Sequence, residues 1–195
     1  LGIDLFPKYI REYYEIHEWK HACAIMAYDF PNEWKDLCDV LENFKLKRSD
    51  IETPGGRKSP ISTKIDTFLY QRGWKEKQFE TAIKVDESIY ESPTHKIDCF
   101  KNKIAIEIEW NNKDPFYDRD LNNFRLLFDL RVVSVGVIIT RSDGLQQIFN
   151  MLGKGSSYGA STTHMGKLLP RIEGGSGGGC PLLAIGITEK LYIED

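Results

Sequence analysis

The sequence predicts a mixed α/β fold organised on a central sheet, and three neighbouring stretches carry that prediction. Residues 95–100 and 103–110 read as two strands joined at Lys101-Asn102. Residues 118–130 place Leu121, Phe124, Leu127 and Phe128 on one face of a helix. Residues 132–140 (VVSVGVIIT) form a nearly continuous β-branched run, which suits a strand buried on both faces and reached by a helical crossover. Hairpin, helix and parallel strand together describe the centre of the fold.

The other elements follow in chain order. Residues 7–19 are predicted helical, with Tyr9, Tyr13 and Ile16 on one face. Residues 21–28 (HACAIMAY) form a short apolar run, read as a buried strand. Pro31 fits the first turn of a helix, and Trp34, Leu37, Cys38, Leu41 and Phe44 then recur at helical spacing. Residues 45–60 are polar and punctuated by Pro and Gly, which predicts a loop. Ile61, Ile65, Phe68 and Leu69 predict a helix over 61–72, and a strand is expected around 78–86. Past the central section, Ser142 is expected to cap a helix over 143–152. Residues 153–180 are rich in Gly and Ser around a short helix at 162–169, and 182–188 (LLAIGIT) is the last apolar strand. There is no internal repeat.

At 195 residues the chain is long enough for a single domain, 1–195, with a real core. Hydrophobic residues at 41% and charged residues at 28% suit a soluble globular protein, and no apolar run approaches the roughly 20 residues of a membrane span. No charged-then-apolar leader is present, and the first residue is not Met, which leaves room for residues upstream. The expected compartment is the cytoplasm. Cys23, Cys38, Cys99 and Cys180 are far apart, which argues against a zinc knuckle or a thioredoxin motif and for buried thiols in a reducing compartment. His17 and His21 have the i,i+4 spacing of a metal pair, but no further ligand accompanies them. The net charge of −3 does not advertise nucleic-acid binding. Binding, however, needs a basic surface only where phosphates sit, and a carboxylate-rich metal site adds negative charge of its own.

The chemistry concentrates in I97-D98-C99-F100-K101-N102-K103-I104-A105-I106-E107-I108-E109-W110. Alternate residues of a strand share a face. Ile104, Ile106, Ile108 and Trp110 therefore point into a core, and Ala105, Glu107 and Glu109 point the other way. A turn at Lys101-Asn102 would pair Phe100 with Lys103 and Asp98 with Ala105, and would bring Asp98 onto the face of Glu107 and Glu109. A slip of one residue would move Asp98 to the opposite face. Three carboxylates on one face repel each other unless a cation or water screens them. Hard oxygen ligands of this kind suit Mg2+, which keeps several waters and binds substrate phosphate. The plainer reading is a solvated strand face, since Glu at alternate positions is common on amphipathic strands.

Asp98, Glu107 and a polar residue two further on resemble the PD-(D/E)XK nuclease signature, with Ile97 in place of the usual Pro and Glu109 in place of the usual Lys. Within that superfamily the segment most resembles type II restriction endonucleases of the BglII/BstYI type. BglII and BstYI carry Gln where this chain has Glu109, and the related BamHI enzyme carries Glu. The resemblance runs from about residue 20 to the last strand. It implies a restriction-endonuclease-like central mixed β-sheet flanked by helices. It also implies a homodimer that makes double-strand cuts in DNA at a short palindrome, one containing GATC, as part of a restriction-modification system. Asp98 and Glu107 would ligate Mg2+ with the carbonyl of Ile108 as a third ligand, and Glu109 would position or deprotonate the attacking water, leaving 5′ phosphates. A catalytically silent DNA-binding protein of the same fold, and a repair or junction-resolving nuclease, are the alternatives.

Further candidates are weaker. Asn111, Asn112 and Lys113 follow the carboxylate strand. The resemblance implies that they look into the major groove, where Asn suits adenine; a polar turn before Pro115 explains them equally. Ser157, Ser161, Thr162, Thr163 and His164 offer phosphate or base contacts, with Ser161 as a helix N-cap the bland account. Arg57 and Lys58 could reach phosphates or simply lie in a solvated loop. The glycines of 174–179 lead into a strand rather than a helix, so the dinucleotide fingerprint fails, and Gly166-Lys167 is followed by Leu168, which is no Walker motif.

Overall fold

The computed structural model describes residues 2–53 and 58–195. After a 3-10 turn at Gly2–Leu5 come α1 (Lys8–Tyr13), β1 (Tyr14–Trp19), α2 (Ala22–Asp29), α3 (Pro31–Asn43), β2 (Leu46–Lys47), α4 (Arg48–Glu52), α5 (Pro60–Tyr70), β3 (Lys75–Lys77), β4 (Ala82–Val85) and β5 (Ser88–Glu91). The chain continues through β6 (Ile97–Lys101), β7 (Ile104–Ile108), α6 (Phe116–Asp129), β8 (Val135–Arg141), α7 (Leu145–Met151), α8 (Met165–Glu173), β9 (Leu182–Ile187) and β10 (Tyr192–Ile193).

Six strands form one sheet in the order β1-β9-β8-β7-β6-β3. Its middle strands β7, β8 and β9 are parallel, and β6, β3 and β1 are added antiparallel to their neighbours. On one face Ile106, Ile108, Val137, Ile139 and Ile185 join a core with Leu37 of α3 and Ile65 of α5. On the other, Ala105, Ile138 and Ala184 pack against Leu121 and Phe124 of α6 and Leu168 of α8. Every residue of β7, β8 and β9 is buried, which is why these strands read as apolar runs. Helix α6 comes close to the sheet at Gly136, where an added Cβ would meet Phe124 Cδ2 at 2.5 Å.

Helices near 31–44, 61–72 and 118–130, and strands near 132–140 and 182–188, lie within a few residues of their expected places. The amino-terminal expectations are corrected. The helix expected over 7–19 stops at Tyr13, and Tyr14–Trp19 is a strand that pairs Ile16 with Ile185. Tyr14 and Ile16 also alternate, and the free edge of β9 decides between the two periods. The strand expected over 21–28 is α2, with Ala22, Cys23 and Met26 buried. A short apolar run is ambiguous by periodicity, and Ala22, Ala24 and Ala27 favour the helix. The loop expected over 45–60 contains β2 and α4, with Asp50 Oδ2 accepting from the Lys47 N–H at 2.9 Å.

The central hairpin turns at Asn102-Lys103, not Lys101-Asn102. Both turn residues have left-handed backbone, φ 45° and 70°, as a two-residue type I′ turn requires. The register is Cys99↔Ile106, Phe100↔Ala105 and Lys101↔Ile104. Each expected pairing moves by two residues, which preserves the face. Around 78–86, only Ala82–Val85 is strand, and it pairs with β5 outside the main sheet. Ser142 does not cap α7. The N-cap there is Gly144, and Ser142 Oγ is buried without a partner. Helix α8 starts at Met165 with His164 at its N-cap rather than Ser161; Asp143 Oδ1 accepts from the Gly166 N–H at 3.1 Å in that first turn.

Candidate active site

The hairpin β6–β7 and the first turns of α6 bring four carboxyl groups to one end of the sheet. Continuing the register beyond Cys99↔Ile106 sets Asp98 opposite Glu107. There the ladder gives way to side-chain bonds. The Asp98 N–H donates to Glu107 Oε2 at 3.1 Å, and the Ile108 N–H donates to Asp98 Oδ2 at 2.9 Å. Strand β6 is irregular at this place, since its pairing with β3 shifts between Lys75↔Phe100 and Lys77↔Ile97. Such a bulge re-aims a side chain, and Ile97 packs into the same cluster as Phe100 and Ala105.

Glu107 and Glu109 share a face, as the alternation expected, but they are 1% and 2% exposed. A solvated strand face is therefore not what this is. Glu109 Oε2 accepts from Asn112 Nδ2 at 2.6 Å and Oε1 from Arg119 Nη2 at 3.2 Å. Asp120 of α6 is fully buried and accepts from Arg119 Nε at 2.9 Å and Nη2 at 2.8 Å. Glu107 Oε1 and Asp120 Oδ2 are buried without any hydrogen-bond partner. Burial pushes the Asp98 carboxyl up to about 6. Burial and then the neighbouring Asp120 push Glu109 up to about 9. Burial raises Glu107 well above the usual carboxylate range, with the charges of Asp120 and Asp98 adding to it, and burial raises Asp120 as well. Four acids in a water-poor site with two orphaned oxygens form an environment that favours a cation or a proton.

A cleft of about 890 Å³ opens over Asp98 and Glu109, with Glu107 behind them. Lys58, Lys96, Arg119 and Lys154 lie on its walls. The lining also carries Asp50, Glu76, Asp98 and Glu109, and Lys58 pairs with Asp66, Lys96 with Glu76, and Arg119 with Glu109 and Asp120, so the cleft is mixed in charge rather than basic. Among the described residues, no three His, Cys, Asp or Glu side chains converge on one point. The donor set that fits a divalent ion is smaller: two facing carboxylates, one of them with a free buried oxygen, beside Ile108 at the end of β7, where the strand meets the cleft.

The other expected site residues are dispersed around this centre. Ile108, Asn111, Asn112, Lys58 and Ser157 line the cleft. Lys58 is paired with buried Asp66 of α5, which also accepts from Cys99 Sγ at 3.3 Å. Lys113 forms an isolated β-bridge with Thr162, and the Ser161 carbonyl accepts from the Asp114 N–H at 3.1 Å. Thr162 Oγ1 accepts from Arg141 Nη2 at 2.9 Å, and His164 Nδ1 bonds Asp143 Oδ1 at 2.6 Å. Thr163 is 0% exposed and its hydroxyl accepts from the Asn112 N–H at 3.1 Å, so it joins two loops and presents no surface to a ligand. Arg57 lies outside the described residues. His17 bonds Glu15 at 2.9 Å and joins no metal-ligating group among the described residues. The four cysteines are free and buried, as expected.

Sequence reasoning missed Asp120, Arg119, Asp66 and Arg141. The signal for Asp120 was present: an acid three residues after Tyr117 and next to Leu121 falls on the inward face of an amphipathic helix, where a charge needs a reason. Asp66 follows Ile65 in the same way on α5. Nothing in the pattern marks Arg141, which closes an apolar strand and is buried only because two loops fold over it.

The chain matches the family described as restriction endonuclease BglII/BglIII over residues 14–187, most of its length. No curated protein matches it.

Proposed function

The chain belongs to the BglII/BglIII restriction endonuclease family and is a type II site-specific restriction endonuclease, a DNA hydrolase; on that premise we propose that it works as a two-fold homodimer. In this reading it cuts both strands of a short palindrome with Mg2+ as cofactor, leaves 5′ phosphates, and belongs to a restriction-modification system. Two-fold symmetry in the protein matches two-fold symmetry in the site. The observation that carries the reading is the facing pair of Asp98, half-buried and lining a cleft that also carries Lys58, Lys96, Arg119 and Lys154, and Glu107, buried behind it.

Asp98 and Glu107 hold the ion, with the carbonyl of Ile108 as a third donor. A bound magnesium ion offsets the charge of the phosphodiester and makes water a better nucleophile near neutral pH. The residues of this chain do the rest. The cations on the walls draw the DNA backbone down to the carboxylates. Glu109, which lines the cleft, orients the attacking water and takes up its proton once a bound cation has brought the carboxyl cluster to its ionised form. The water attacks phosphorus in line and the 3′ oxygen leaves. Asn111, Asn112, Lys113 and Ser157 face the base edges or phosphates, with Ser161, Thr162 and His164 on the neighbouring loop.

Digestion of a sequenced plasmid tests the reading directly. With Mg2+, discrete fragments are expected whose mapped ends share one palindrome and carry 5′ phosphates; with a chelator, none. A preference for branched DNA would favour a junction-resolving nuclease. Tight binding of duplex DNA without cleavage would favour a silent binding protein. Sedimentation at micromolar concentration should give a dimer.

A further inference from the structure

Asn112 is engaged on three sides. Its N–H donates to Thr163 Oγ1 at 3.1 Å and its carbonyl accepts from the Thr163 N–H at 2.8 Å. Its side-chain Nδ2 donates to Glu109 Oε2 at 2.6 Å. The backbone of residue 112 is fixed through Thr163 to Arg141, a 2% exposed guanidinium that donates to Thr163 O at 3.1 Å, Tyr158 O at 3.1 Å and Thr162 Oγ1 at 2.9 Å. The loop is therefore clamped while the Asn112 amide has one partner, and that partner is a candidate catalytic carboxylate.

The consequence is a conflict of use. An Asn reads adenine with its amide N–H and its carbonyl oxygen together, in one plane. The amide of Asn112 is committed to Glu109 by a short hydrogen bond, Nδ2 to Oε2 at 2.6 Å. It has a second N–H, so a base edge takes the amide from Glu109 only when the side chain turns to meet it. Next to it, Asn111 has a left-handed backbone, φ 57°, and a buried Oδ1 without a partner. The loop thus holds unused bonding capacity that a rearranged amide or a base edge can fill. On the other side of Glu109 the second donor is Arg119, whose guanidinium lies at the cleft wall where a phosphate would arrive.

We propose that Asn112 couples recognition to cleavage: without DNA its amide restrains Glu109, and only the base contact that claims the amide releases Glu109 for the attacking water. Asn112 is in this sense a specificity-determining positioning residue. The proposal rests on the nuclease reading above and on Glu109 working at the water.

The test uses two duplexes, one with the mapped site and one with the same composition but the site scrambled. Cleavage is followed under single-turnover conditions with the full-length protein and Mg2+. The variants are Asn112→Ala and the near-isosteric Asn112→Leu, neither of which can donate to Glu109, with circular dichroism confirming their fold. Both should cut the scrambled duplex at least tenfold faster than the wild type, in absolute rate, while cutting the true site more slowly. Adding Glu109→Gln to either variant should remove the gain. A residue that only reads a base predicts a slower cut at the true site and an unchanged rate on the scrambled one. A residue that is only structural predicts both rates falling. Either result overturns the proposal. A wild-type protein that cuts neither duplex nor plasmid overturns the nuclease reading itself, and this proposal with it.

Discussion

Two antiparallel hairpins follow one another in this chain, and they differ in everything except pairing. In the β4–β5 ribbon all eight strand residues are exposed, including Ile83 at 62% and Ile89 at 66%. In the β6–β7 hairpin every residue of β7 is buried, Glu107 among them. Lys84 and Glu91 of the ribbon sit in water and are hydrated. Glu107 is at the end of a strand flanked by β8, roofed by α6 and faced by Asp98. The lesson is that a hairpin by itself places carboxylates but does not push them toward the protonated form. Inclusion in a two-faced sheet does so, because it removes the water that would otherwise stabilise their charge.

The largest effect should come from breaking the buried hairpin's chemistry. Asp98→Asn and Glu107→Gln should each lower plasmid cleavage by roughly a hundredfold or more, the scale of losing a central electrostatic group. DNA binding in gel shifts should be retained by both, and be tighter for Asp98→Asn above about pH 6, where that carboxylate would otherwise repel phosphate. Full cleavage by Asp98→Asn would place the active site elsewhere.

Packing is the next contrast. Ile106→Ala removes a side chain buried in the sheet core and should cost about 2–5 kcal/mol in urea unfolding. Ile83→Ala, on the exposed ribbon, should stay within about 0.5 kcal/mol. A comparable loss at both positions would mean that the ribbon is packed in solution.

Acidity sharpens the comparison further. In the folded chain Asp98 holds its proton up to about 6 and Glu109 up to about 9, against ordinary values of 3.8 and 4.5. The folded state therefore binds protons that the unfolded chain has released. The stabilisation from these protons is complete below pH 4 and is lost as pH rises through about 6 and then about 9. With a chelator present, the melting temperature should fall from pH 5 to pH 9, and Glu109→Gln should flatten the upper part of the curve. A flat wild-type profile would show these carboxyls to be hydrated, like those of the ribbon.

The smallest catalytic change is expected at Glu109→Gln, roughly tenfold, because the amide oxygen still accepts from one of the two donors, Asn112 or Arg119. Glu109→Lys should be worse than Gln, since it puts a second cation against Arg119 Nη2, which lies 3.2 Å from the present carboxylate. Plasmid nicking rates rank the two.

Much of the centre was legible. Alternation across 104–110 assigned Ile104, Ile106 and Ile108 to a core and Glu107 and Glu109 to the other face, and the β-branched run of β8 announced a strand covered on both sides. These are local facts, set by the two-residue period of a strand and by which residues water rejects. The turn was displaced by one residue, yet Asp98 kept its face, because parity survives a shift of two in the pairing. What the chain could not disclose depended on partners distant in sequence. Tyr14–Trp19 is a strand because β9 offers an edge 163 to 173 residues away in the chain, from Trp19↔Leu182 to Tyr14↔Ile187. Asp120 belongs to the site because α6 packs across β7, and Thr163 is buried because Arg141 draws a remote loop over itself. Sequence by itself determined which faces are apolar and which carry acid. Tertiary structure alone decided which of those acids lose their water, and with it became chemistry rather than surface.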